Sequence, residues 1–134
     1  MTHVQELLVS RRRRIAGNVL VSLCSVILTL SAAAKLARIP KVVSELGGMG
    51  FSDGRLIFIA VLELVCAVLF FTPYLRSLGL LLVSAYMGGA IATHLQHGQS
   101  MAQPGFILAL IWIGTWLRDP QILWSLRPGG PADL

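Results

Sequence analysis

Glu63 stands inside LIFIAVLELVCAVLFFT, residues 56–72, and it is the sole charge in that run. Seventeen residues at ~1.5 Å rise cover roughly 26 Å, close to the hydrocarbon thickness of a bilayer. A carboxyl group at that depth is costly, and it implies either a function or a named partner. Two other side chains could meet it. Lys35 closes the first apolar run, and His94 lies late in the third. If the second run descends from the side on which the first ends, Glu63 lies roughly 10 Å down from that side. His94 then lies roughly 24 Å up from the other side. All three fall in the outer half of the membrane. A Lys35–Glu63–His94 cluster in a cavity open to that side could trade protons: the ammonium favours an ionised carboxylate, and imidazole exchanges near neutral pH. The plainer roles are an interfacial anchor for Lys35, a packing histidine for His94 and a structural ion pair for Glu63.

The neighbouring spacing tells which faces turn inward. Cys24, Leu28, Ser31 and Lys35 share one stripe at three-four spacing. Ala60, Glu63 and Ala67 form a small-residue stripe that lets another helix come close. Ala90 and His94 share a face four apart, and Tyr86 and Met87 are expected to line the interior. Ser31, Ala60, Ala67, Tyr86, Met87 and Ala90 are therefore the expected walls of a binding site, with Glu63, His94 and Lys35 its reactive groups. Asn18 is expected to hydrogen-bond between helices.

The chain of 134 residues is 55% hydrophobic and 13% charged, with mean hydropathy +0.75. Soluble domains carry about 25% charged residues, so the composition is that of an integral membrane protein. The expected fold is all-α: a four-transmembrane-helix bundle with spans near 15–34, 56–72, 78–97 and 104–117, inside one domain of residues 15–117. A basic head (1–14) precedes it and a polar tail (118–134) follows. The first run competes with a signal-peptide reading, but its twenty uncharged residues exceed the usual hydrophobic region of about 7–15 residues. In the first loop, Val42, Val43 and Leu46 oppose Lys41, Ser44 and Glu45, which predicts a short amphipathic helix at the interface from Pro40. Ser52 or Asp53 is expected to cap the next helix. Pro128 to Pro131 reads as disordered and Trp124 as an interfacial flank.

Lys and Arg set the orientation. Seven lie on the side of both termini (Arg11 to Arg14, Arg76, Arg118, Arg127), against four opposite (Lys35, Arg38, Lys41, Arg55). The excess puts both termini in the cytoplasm of a multi-pass cell-membrane protein. These basic residues sit at segment ends and form no stripe interleaved with aromatics, which excludes a nucleic-acid groove. Cys24 and Cys66 lie in apolar runs without metal spacing, so they read as small buried hydrophobes, and no metal site is visible.

Ser31-Ala32-Ala33-Ala34-Lys35-Leu36, then Glu63 in LELVCAVLF, the Pro73…Arg76 turn, Gly89 to Leu95 and Leu117-Arg118-Asp119-Pro120 together resemble the DoxX-like family of small membrane proteins. The resemblance spans roughly residues 15 to 125, with an alanine at position 33 or 34 where the family often has glycine. It implies four membrane helices with cytoplasmic termini, and it makes Lys35, Glu63 and His94 the recurring polar positions. Relatives include quinone-linked oxidoreductase subunits and an assembly chaperone. Three functions follow as expectations. The first is a subunit of a membrane oxidoreductase system that binds a quinone or another lipophilic small molecule, with electrons from a membrane or peripheral protein partner. The second is an enzyme isomerising or cyclising an apolar substrate by acid–base chemistry. The third is a non-enzymatic assembly or scaffold protein. No cofactor motif is visible, a quinone is admitted, and oligomerisation stays open.

Overall fold

The computed structural model describes the backbone of residues 2–120 and the side chains of residues 10–120. Trp124 and the segment Pro128 to Pro131 lie outside the described residues. Those described form five α-helices and no strand: α1 Thr2–Leu36, α2 Pro40–Gly48, α3 Asp53–Phe71, α4 Arg76–Gln96 and α5 Ala102–Arg118, with a 3₁₀ turn Pro73–Leu75 before α4. Among the described residues, three stretches are long and apolar enough to cross a membrane: Ser10–Leu36, Asp53–Phe71 and Pro73–Gln96.

The apolar run of the first segment does not begin a new helix after the arginines; α1 is continuous through them. It stops where the backbone forbids continuation. Arg38 adopts φ +54, the left-handed conformation that commonly ends helices, and Ile39 is held extended (φ −55, ψ 125) before Pro40. Pro40 then starts α2, where its missing N–H costs nothing. Val42, Val43 and Leu46 are half-buried while Lys41, Ser44 and Glu45 are exposed. Gly50 turns the chain at φ +80. Ser52 does occupy the N-cap of α3, but its hydroxyl makes no capping bond; only its carbonyl accepts, from the Leu56 N–H. Arg38 and Asp53 form an exposed ion pair that ties the end of α1 to the start of α3. The last helix, at 17 residues, extends beyond the fourteen-residue run that the sequence marks.

The four long helices close a ring in which α1 packs on α3 and α5, and α4 packs on α3 and α5. The core between them holds Val21, Cys24, Leu28, Cys66, Ala67, Phe70, Leu80, Val83, Met87 and Ile111. Cys24 and Cys66 are free thiols packed in that core. Asn18 faces outward and makes no hydrogen bond among the described residues. Two glycines permit the closest approaches. A Cβ on Gly17 would collide with the Arg118 backbone, and one on Gly79 with the backbone of Leu69 and Phe70. Gly88 has open space where its side chain would be.

Gly79→Ala and Gly17→Ala are each expected to destabilise the bundle by about 1–3 kcal/mol through overpacking. Gly88→Ala should leave stability unchanged or raise it by up to about 1 kcal/mol. Thermal unfolding in detergent reads all three, and a Gly79→Ala protein that melts like the parent would contradict the packing described.

Candidate functional site: a buried lysine–glutamate pair

Lys35 sits in the last turn of α1 and Glu63 in the middle of α3. Ala60 and Ala67 flank Glu63 one turn either way, are fully buried, and present no bulk. With Ala32 buried on α1, this lets the two helices come close enough for the side chains to meet. Lys35 Nζ lies 2.5 Å from Glu63 Oε2 and also donates to Ser31 Oγ at 2.7 Å, one turn back on its own helix. The Glu63 side chain is 3% exposed and that of Lys35 12%. Tyr86 of α4 completes the surround, its phenol close enough to interact with the Glu63 carboxylate.

The cost of dehydrating two ions is large, and their mutual attraction roughly offsets it only when further hydrogen bonds satisfy them. Ser31 provides one such bond for the ammonium. The arrangement is thus a small polar island of two charges and two hydroxyls, set between α1, α3 and α4. Chemically it offers N–H and O–H donors and one strong acceptor, with Lys35 the more accessible of the charged pair.

His94 behaves differently. Its Nδ1 donates to Ala90 O at 2.8 Å, within α4, and the ring is half-buried. No hydrogen bond or ion pair joins it to Lys35 or Glu63 among the described residues. The structure therefore brings Lys35, Glu63 and Ser31 together, with Tyr86 beside them, and leaves His94 satisfied by its own helix. His97 does the same one turn on, with Nδ1 bonded to Thr93 O at 2.8 Å. Met87 belongs to the core, 4% exposed, and Ala90 enters through its carbonyl. No group of three His, Cys, Asp or Glu side chains placed to hold a metal ion occurs among the described residues.

A model of the DoxX-like family matches residues 19–114. The chain belongs to the DoxX-like family. No curated protein and no solved structure matches it. In this DoxX-like chain the matched stretch takes in Lys35, Glu63 and His94, and it stops short of Arg14 and Arg118. The opposite end of the bundle escaped the sequence reading. There Arg13 stacks over Trp116, 4.2 Å from the ring centroid, and donates to Trp116 O at 3.1 Å. The two are 103 positions apart, so no local spacing announces the contact.

Removing one partner should leave a buried unpaired charge. Lys35→Met and Glu63→Leu are each expected to cost about 3–5 kcal/mol, and the double variant to recover most of that loss. Unfolding titrations of the four proteins in mixed micelles give the coupling; additive losses would show that the pair does not act as a unit.

Proposed function

We propose that this DoxX-like protein crosses the membrane four times and binds the polar head of a lipophilic small molecule, best matched by a quinone, at the Lys35–Glu63 pair. It would serve as a subunit of a membrane oxidoreductase system. The observation that supports this most is the 2.5 Å Lys35–Glu63 contact inside an apolar bundle, with the lysine still partly reachable. An apolar site with a few convergent polar groups is the usual form of such pockets. The Lys35 ammonium and the Ser31 and Tyr86 hydroxyls are donors suited to a quinone carbonyl, and Glu63 is suited to holding or returning a proton at its carboxylate. When bound, a quinone supplies a two-electron, two-proton couple. Reducing equivalents would come from a partner protein or a substrate. His94 would act here only if its ring left the Ala90 carbonyl.

The fourth crossing is α5, whose 17 residues span roughly 26 Å, with α2 lying at the interface. The excess of arginines at the end that holds Arg13, Arg14, Arg76 and Arg118 supports cytoplasmic termini. A second reading has one observation in its favour. Glu63 is so enclosed, and so well partnered, that the pair could be a structural clasp in an assembly or scaffold protein.

A quinone analogue titrated into the protein in nanodiscs should bind saturably. Glu63→Gln and Lys35→Met should each weaken that binding about tenfold or more, the worth of one hydrogen bond to a charged group. Equal binding by the folded variants would leave the clasp reading in its place. For orientation, a reporter active only outside the cytoplasm, fused after Leu134, is expected to stay silent; activity there would reverse the topology.

A further inference from the structure

Far from the lysine–glutamate pair, the bundle end formed by the start of α4 and the end of α5 gathers arginines. Arg76 opens α4 after the Pro73–Leu75 turn, and Arg118 closes α5. Both line one small open cavity of about 10 Å³, together with Val21, Phe70, Thr115 and Asp119. Arg14 of α1 lies close enough that its charge, like that of Arg76, bears on Arg118; Asp119 opposes them. Arg13 is held at the same end by Trp116.

An arginine that only anchors a helix in the interface keeps its guanidinium in water. Arg76 and Arg118 do so only in part: both are half-buried, and the Nε of each, like that of Arg13, is buried with no hydrogen-bond partner among the described residues. Buried donors without acceptors are uncommon and call for a partner. Like charges drawn together call for an anion. The walls are also fixed in place. The Gly17 contact presses the Arg118 backbone against α1, and the Gly79 contact sets Phe70 against the first turn of α4. The cavity has room for about one water, hence for one anionic oxygen, while the remainder of the anion would sit at its mouth. At the end of a membrane bundle that mouth lies at the headgroup layer, where basic pockets between helices take phosphate headgroups.

We propose that Arg76 and Arg118 bind the phosphate of an anionic phospholipid headgroup, one phosphate oxygen entering the cavity and the ester groups facing the lipid. Each guanidinium offers a planar fork of donors that matches phosphate geometry. Arg14 adds long-range attraction, and Asp119 limits the net charge of the site. This site is independent of the reading of Lys35 and Glu63.

The full chain, purified in neutral detergent and stripped of lipid, tests this by native mass spectrometry. Phosphatidylglycerol should be retained at least about tenfold better than phosphatidylcholine, the equivalent of one charge-assisted hydrogen bond. Arg76→Gln/Arg118→Gln should bring that ratio close to unity. Arg11→Gln/Arg12→Gln, which removes the same charge from exposed positions, should preserve it. Arg76→Lys/Arg118→Lys should give an intermediate ratio, since it keeps the charge and loses the fork. Equal retention of the two lipids by the unsubstituted protein overturns the proposal and needs no variant to fold. An undiminished ratio in Arg76→Gln/Arg118→Gln overturns it as well. Thermal stabilisation by inorganic phosphate without any lipid preference would assign the cavity to free phosphate and overturn the lipid.

Discussion

A charge inside a bundle of apolar helices must be answered by another charge, and that requirement shapes this protein. Glu63 is nearly inaccessible, so its carboxylate cannot rely on water. Lys35 answers it from the neighbouring helix, and the ammonium is in turn shared with Ser31. The surrounding residues follow from this. Ala60 and Ala67 stay small so that α1 can reach α3, and α1 extends to Leu36 so that Lys35 is delivered at the right height. Beyond that point a left-handed Arg38 and a proline end the helix, and the Arg38–Asp53 ion pair holds the connection to α3. That exposed pair adds at most about 1 kcal/mol; its consequence is positional.

The two ends of the bundle pose opposite electrostatic problems. Near Lys35 the charges are matched one to one. At the other end arginines outnumber the acidic groups beside them, and close glycine contacts hold that crowding in place. The asymmetry is what orients a membrane protein, since basic residues favour the cytoplasmic side. It also leaves buried Nε donors on Arg76 and Arg118 with no hydrogen-bond partner among the described residues. Arg13 differs in that its guanidinium stacks on Trp116 and one terminal nitrogen donates to the Trp116 carbonyl, although its Nε is also unpartnered among the described residues.

Much of the fold is legible because helices are regular. The Ala60–Glu63–Ala67 stripe and the Cys24–Leu28 stripe are buried because three-four spacing defines a face whatever the partner. A uniform rise per residue likewise puts Lys35 and Glu63 at one depth. His94 shows where this stops. Spacing gives the height and face of the residue and says nothing of its ring, and the Ala90 carbonyl one turn back is a nearer acceptor than a carboxylate on another helix. The Asn18 position fails for a related reason: polarity suggests an interhelical bond, but its face turns outward. Residue type places Ser52 at the start of α3 as expected, but it does not fix the hydroxyl rotamer, and no side-chain cap forms. The interaction of Tyr86 with Glu63, and of Arg13 with Trp116, depends on which helices are neighbours, which no single segment encodes.

The central claim is that Lys35 and Glu63 touch across α1 and α3 within the bilayer. The chain has two lysines and three glutamates, so a Lys41→Arg background leaves Lys35 as the sole lysine amine. With lysine labelled at the ¹⁵N side-chain amine and glutamate at the ¹³C carboxyl, solid-state NMR in lipid bilayers reads the distance directly. The account predicts strong dipolar dephasing of one glutamate carboxyl signal, and its disappearance in Glu63→Gln. A full set of glutamate signals with no dephasing would contradict it.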